Sequence, residues 1–214
     1  MSTPQPTRPS VVPARRDQQA AAALVLAEAF EDDPVLAAFI DERGDRRHRI
    51  ALLFLAMIRS AGARGRLDLA VDDDGTVLGA AVWEGPKHSG AGLSLGLTTT
   101  SMMVRALGAR GVARALRYER VMGRHRPGIA HWYLGELGVA AAGRGRGIGT
   151  ALLAHGLARA DAEDAAAYLE SSTPRNRRLY RRNGFVELAP IVGIDGAEPA
   201  AMWRPARSTT ARTD

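Results

Sequence analysis

Gly143, Gly145, Gly147 and Gly149 alternate between an apolar run ending at Val139 and a second one beginning at Ala151. The order reads as the end of a strand, a glycine-rich turn and the start of a helix. Backbone N–H groups in the first turn of a helix have no partner within it and point outward. The helix dipole adds partial positive charge at the same place. Such a turn is suited to hold a phosphate or pyrophosphate.

Which phosphate compound it takes depends on the spacing. A P-loop needs Gly, four residues, then Gly-Lys-Ser/Thr, and the one lysine, Lys87, lies far from the turn. A dinucleotide fingerprint needs G-x-G-x-x-G and an acidic residue about 20 positions on. Glu170 stands near that distance, but the alternating glycines do not fit. Arg-Gly segments that touch RNA are an alternative, yet these are usually repetitive and disordered, and this one is short and flanked by apolar runs.

Arg144-Gly145-Arg146-Gly147-Ile148-Gly149 satisfies a third pattern in full, Arg/Gln-x-x-Gly-x-Gly/Ala. It resembles the acyl-CoA pyrophosphate loop of the GNAT superfamily of N-acyltransferases. A second stretch strengthens the likeness. Ala167-Tyr168-Leu169-Glu170 reads as a buried strand, and Ser171 to Asn176 as a turn with a hydroxyl residue before a helix-starting proline. Leu179-Tyr180 then leads to Asn183-Gly184-Phe185, a Tyr-x-x-x-Gly-Phe unit that is a GNAT signature. His125-Arg126-Pro127, Trp132-Tyr133-Leu134 and Ala29-Phe30-Glu31-Asp32-Asp33-Pro34 narrow the resemblance to puromycin N-acetyltransferase and its actinobacterial relatives. The likeness spans roughly residues 11 to 205. Many GNAT members place Asn seven residues before the tyrosine; here Thr173 stands there, and Asn176 is four before.

The resemblance implies acetyl-CoA as acyl donor and direct transfer to a primary amine in a ternary complex. It implies that the loop Arg144, Gly145, Arg146, Gly147, Ile148, Gly149 and Thr150 holds the pyrophosphate. The pantetheine amides would pair with the strand edge at Leu137, Gly138 and Val139, whose backbone N–H would meet the thioester carbonyl. Asn176 would contact the cofactor or orient Tyr180, and the Tyr180 hydroxyl would lie near the CoA sulfur. A phenol of pKa ~10 is protonated at neutral pH and can assist a thiolate of pKa ~8.5. A packing tyrosine on an amphipathic helix is the alternative for Tyr180. The amine must arrive neutral, so a base is needed. Glu170 at the end of its strand and Glu136 on the strand before are candidates, with a water chain as the alternative and His131 and His125 ranked below. Glu31, Asp32 and Asp33 fall where relatives form the lip of the acceptor side, and could attract a cationic amine.

Composition bounds the remaining classes. A length of 214 residues with 46% hydrophobic content fits one domain with a real core. We expect that domain over residues 11–205, with disordered tails at 1–10 and 206–214. No run approaches the roughly 18 apolar residues of a membrane helix, and the first residues lack a secretory apolar core, so the expected location is cytoplasmic. The absence of cysteine excludes disulfides, zinc-thiolate sites and a cysteinyl intermediate. The five histidines show no metal-ligand spacing, so no metal is expected. The net charge of +6 is carried almost wholly by arginine. With only 5% aromatic residues there is no basic stripe interleaved with rings, and no nucleic-acid partner is expected. A protein acceptor (an N-terminus or lysine) and a CoA-binding regulator without turnover are the alternatives. Homodimers are common among such proteins, but no interface is legible.

Positioning those residues requires particular elements. The chain reads as a strand at 11–15, a helix capped by Asp17 through about Phe30, and a short helix from Pro34 to Ile40. A helix over 45–63 follows, then a hairpin with strands at 67–71 and 76–83 around Asp72 to Gly75. Residues 85–97 read as loop, and Thr100 to Gly123 as mainly helical with breaks at Gly108 or Gly111. Strand four at 129–139, a helix at 147–160, strand five, a short helix, strand six from Phe185 and a last strand at 200–203 complete it. This order predicts an α/β (α+β) fold, a mostly antiparallel sheet of six to seven strands flanked by helices. The resemblance adds that strands four and five splay apart to admit CoA.

Overall fold

The computed structural model describes residues 9–62, 65–86 and 97–210. The expected tail at 1–8 and 211–214 and most of the expected loop, 87–96, lie outside the described residues.

Seven strands form one sheet in the order β1-β2-β3-β4-β5-β7-β6. They are β1 (Ser10–Pro13), β2 (Gly65–Val71), β3 (Val77–Glu84), β4 (His131–Val139), β5 (Ala166–Ser171), β6 (Val186–Pro190) and β7 (Ala200–Arg204). Every neighbouring pair is antiparallel except β4 and β5. The helices are α1 (Gln19–Ala29), α2 (Pro34–Ala37), α3 (Arg46–Ala61), α4 (Leu97–Gly123), α5 (Ile148–Ala162), α6 (Pro174–Arg182) and α7 (Arg207–Thr210). The fold is the mixed, mostly antiparallel α/β arrangement that the element order predicts.

The β4–β5 pair decides the rest. It runs for only four positions, from His131↔Ala166 to Leu134↔Leu169. Beyond Leu134, β4 continues to Val139 paired with β3 alone. The edge of Gly135 to Val139 that turns toward β5 has no strand beside it, which is the expected splay. A bulge between Val82 and Trp83 opposes Gly135 and bends β4 where the strands part.

Local sequence accounts for the helix boundaries. Asp45 caps α3 by accepting from the His48 N–H at 2.9 Å. Asp33 caps α2, accepting from the N–H groups of Val35 and Leu36, with Pro34 in its first turn. Thr173 caps α6, again with proline next. Asp17 is not the cap of α1: its carboxylate pairs with Arg15, and a 3-10 turn over Arg16–Gln18 leads into the helix. In α4 the break falls at Gly108, which has φ +67°. Gly111 stays helical; a side chain there would meet the Phe39 carbonyl at 2.8 Å. The stretch read as tail from 206 is helical at Arg207–Thr210.

Two cores sandwich the sheet. On one face α1, α3 and α4 bury Leu26, Ile50, Phe54 and Leu107 against Leu69, Ala80 and Val82. On the other, α5 buries Ile148, Leu152 and Leu153 against Ala70, Ala81 and Trp83. Each such side chain contributes roughly 1.5–3 kcal/mol. Helix α5 comes so close that a methyl on Gly156 would lie 2.2 Å from the Trp83 indole. Asp68, 1% exposed, accepts a two-pronged hydrogen bond from Arg159 at 2.6 and 3.1 Å and ties β2 to α5. Among the described residues no helix is long and apolar enough to cross a membrane.

Candidate active site

The glycine turn is built as its residues suggest, each glycine for its own reason. Gly145 and Gly147 have φ of +78° and +75°, where an L side chain is strained, and a Cβ on either would project into open space. Gly147 is the residue at which α5 begins. Gly143 is buried, with Ile148 Cδ1 2.7 Å from where its Cβ would stand. A Cβ on Gly149 would make ordinary contact with Leu137, Val139 and Leu179. The turn is held from the far side by Glu28 of α1, which accepts from the Ala141 N–H at 2.6 Å.

Above this turn lies a cavity of about 450 Å³. Val139, Arg144, Gly145, Gly147, Ile148, Gly149, Thr150 and Asn176 line it, as the sequence leads one to expect. Leu137, Gly138 and Arg146 are not among its lining residues. At Gly138 the close approach is made by α1, since a Cβ would sit 2.8 Å from the Ala29 Cβ. Three arginines escaped the sequence reading. Arg175, Arg178 and Arg182 reach the cavity from α6. Their i, i+3, i+7 spacing, one helical face, was the signal available. No acidic residue lines this cavity among the described residues, so its field favours a polyanion. Thr173, at the position where many relatives carry asparagine, is occupied as the α6 cap.

A second cavity, of about 430 Å³, opens on the α1–α4 side of the sheet. Phe30, Phe39, Phe54, Met57, Met103 and Leu107 give it an apolar wall. Among the described residues its charged lining is wholly acidic: Asp33, Glu119, Glu136 and Glu170. Both candidate bases therefore reach one cavity, with Tyr133 and Gly135 of β4 between them. Of the acidic turn, Asp33 alone lines it; Glu31 and Asp32 do not.

The two glutamates are not equivalent. Glu170 accepts from Arg126 Nε at 3.1 Å, and Arg126 also pairs with Glu119 at 3.3 Å. The same guanidinium donates to the Tyr133 hydroxyl at 3.1 Å. Burial holds the Glu170 carboxyl above its ordinary value, and the pull of Arg126 offsets this only in part. Glu136, 9% exposed, makes no direct ion pair with Arg126, whose charge offsets the rise of its carboxyl only in part. Burial first, then the charge of Glu84, pushes its carboxyl up to about 8. That places it in the range of a general base working near neutral pH.

Tyr180 is 8% exposed and packs edge-to-face on Phe185, ring centres 5.9 Å apart. It lines neither cavity. Burial, with Asp33 adding, holds its phenol well above the ordinary tyrosine value. His131 is buried against Tyr168 and Trp203, with Nδ1 2.6 Å from the Ile129 carbonyl. Burial lowers its pKa, so it stays neutral. His125 Nδ1 lies 3.0 Å from the Val121 carbonyl. Neither histidine lines either cavity. Among the described residues no three His, Asp or Glu side chains group as metal ligands.

This geometry has known counterparts. The family model described as acetyltransferase (GNAT) domain matches residues 111–187. A crystal structure from Corynebacterium glutamicum ATCC 13032, described as histone acetyltransferase HPA2 and related acetyltransferase, is 32% identical. The match covers 94% of this chain and 97% of that one, with a TM-score of 0.72. An N-acetyltransferase from Staphylococcus aureus Mu50 shares the fold at 13% identity, covering 91% and 99% of the two chains with a TM-score of 0.58. A GCN5-related N-acetyltransferase from Kribbella flavida does so at 21% identity, 92% and 98% coverage and a TM-score of 0.52.

Proposed function

The chain belongs to the GNAT acetyltransferase family, and on that premise we propose that it moves an acetyl group from acetyl-CoA to a primary amine of a small molecule, by direct transfer. The observation that carries this reading is the opposite charge of the two cavities, an arginine-lined one and an acid-lined one, which reach β4 beyond its pairing with β5, the first at Val139 and the second at Gly135 and Glu136. A polyanionic donor and a cationic acceptor are thereby sorted to different sides of one gap.

Acetyl-CoA fits the first cavity. Gly145 and Gly147 leave open the space that side chains would fill, and the N–H groups of the first α5 turn point into it. Arg144, Arg175 and Arg178 supply charge-assisted hydrogen bonds to phosphate. The thioester is what acetyl-CoA brings. The free edge of Gly135 to Val139 can pair with amides of an extended chain, and one N–H there can take the charge developing on the carbonyl oxygen.

On the acceptor side an ammonium meets the Glu136 carboxylate, and its charge favours the ionised carboxylate. Glu136 takes one proton from the nitrogen, freeing the lone pair that attacks the carbonyl carbon. The C–S bond breaks as the C–N bond forms. The sulfur leaves with a proton whose donor is Tyr180, and Tyr180 recovers one as the new amide nitrogen loses its second. Amine cation and thioester thus give amide, thiol and one released proton.

Free-thiol release from acetyl-CoA, followed with a chromogenic thiol reagent over a panel of amines including puromycin, tests this. The chain has no cysteine to add background. Amine-dependent release is expected. Saturable acetyl-CoA binding with no release from any small amine would shift the reading to a protein acceptor, as the description of the Corynebacterium relative suggests, or to a CoA sensor.

A further inference from the structure

We infer that the acceptor carries its amine on a compact apolar body, aryl or branched alkyl, that fills the cavity between α1 and α4; this rests on the acetyltransferase reading above. The cavity volume of about 430 Å³ is that of a site for one small molecule. Its walls are mostly apolar and rich in rings, with Thr100, Tyr118, Tyr133 and Ser172 the uncharged hydroxyl residues of the described lining. Phe30 and Phe54 meet edge-to-face at 5.2 Å, and Phe39 and Tyr118 stand 6.2 Å apart. Its acids, Asp33, Glu119, Glu136 and Glu170, stand against this apolar lining, the last two on β4 and β5. An amine with an apolar body has the same division, a cationic end and a body that gains from leaving water.

A second observation agrees. Val104 and Leu116 on α4 are large apolar side chains left 47% and 48% exposed, and both line this cavity. Apolar side chains gathered at the rim of an apolar cavity mark a surface that is covered in use. An aminosugar or other hydroxyl-rich acceptor would set most of its hydroxyls against apolar side chains such as Phe39, Met57 and Leu107, at a cost. A peptide laid along the sheet would need an outer edge strand. The outer strands, β1 and β6, contribute nothing to the cavity lining among the described residues.

The test uses the full chain. Thiol release is measured with 4-phenylbutylamine, isoamylamine, ethanolamine, glucosamine and a lysine-bearing peptide, alongside calorimetric binding of acetyl-CoA and of 4-phenylbutylamine. The expected result is kcat/KM at least ten-fold higher for the two apolar amines, since single methylenes in such pockets are worth roughly 10–200-fold. Leu116→Asn and Val104→Asn, at exposed positions where folding is least disturbed, should raise KM for 4-phenylbutylamine several-fold. Their kcat and acetyl-CoA affinity should stay unchanged. Acetyl-CoA turnover that favours glucosamine, ethanolamine or the peptide would overturn this inference and leave the acetyltransferase reading standing. So would a failure of 4-phenylbutylamine to bind a protein that binds acetyl-CoA. Loss of acetyl-CoA binding itself would instead overturn the reading beneath it.

Discussion

Arg126 Nε lies 3.1 Å from Glu170 Oε1, while Glu136 in the same cavity keeps a carboxyl raised to about 8. A carboxylate held by a guanidinium is a poor proton acceptor, because the cation favours its charged form. Glu136→Gln is therefore expected to lower kcat by roughly 10²–10⁴-fold with acetyl-CoA affinity unchanged. Glu170→Gln should cost less in kcat and more in stability, since it leaves the largely buried Arg126 short of a partner. Steady-state kinetics and thermal melts on both variants check the assignment.

The raised Glu136 carboxyl also sets a pH dependence. As a base it must be ionised, so kcat/KM should climb with pH, pass half its plateau near pH 8 and level off above it, and Glu136→Gln should erase that limb. Stability runs the other way. The folded state holds this proton to about 8 against 4.5 for the ordinary carboxyl. Between those values the folded chain binds more protons than the unfolded one, so stability falls as pH rises. Glu136→Gln should flatten that fall in denaturant titrations at pH 5 and pH 8.

Tyr180→Phe keeps the ring that packs on Phe185 and removes the hydroxyl. A loss in kcat of about 10²–10⁴-fold is expected, with acetyl-CoA binding and the rising pH limb retained. Because burial holds the phenol well above its ordinary value, the wild type should show no fall in rate from Tyr180 ionisation near pH ~10. Full activity in the variant would remove Tyr180 as the proton donor.

Gly147→Val places a β-branched side chain at φ +75° and in the space above the turn. Acetyl-CoA binding should be lost from a protein that still folds, as read by calorimetry beside circular dichroism. Arg178→Gln should weaken binding about ten-fold, and the difference should shrink as salt is added.

Gly156→Ala tests the packing of α5 on the sheet. Its methyl would fall 2.2 Å from the Trp83 ring, which is itself fully buried. Overpacking of this kind costs about 1–3 kcal/mol, so a lowered midpoint of unfolding is expected.

The phosphate side of the site was legible because its determinants are local. The turn spans a few consecutive residues, and its glycines are dictated by backbone conformation. The α6 arginines, legible in principle from their spacing, become part of the site only because α6 folds back over the turn. On the acceptor side Asp33, Glu136 and Glu170 were legible through the resemblance, and the apolar wall was not. Phe30, Phe54, Met103 and Glu136 come from separate elements and meet only when α1, α3 and α4 close over the sheet. The ranking of the two glutamates had the same obstacle, since Arg126 stands 44 positions from Glu170 in the chain. The cap of α1 was misplaced because Asp17 can be satisfied by a neighbour two residues away as readily as by a helix end. The element order followed from strong periodicity and turn chemistry, and the mixed sheet came out as expected; the parting of β4 from β5 was implied by the resemblance alone.

The four-position seam between β4 and β5 has a consequence for solubility. An unfinished strand inside a sheet offers its backbone to any passing chain, and exposed edges of this sort commonly seed self-association. Here α1 closes on Gly138 from one face, and Gly149 of α5 meets Leu137 and Val139 from the other. Helices thus flank this stretch of β4 on both faces and cover part of the backbone that an open edge would offer.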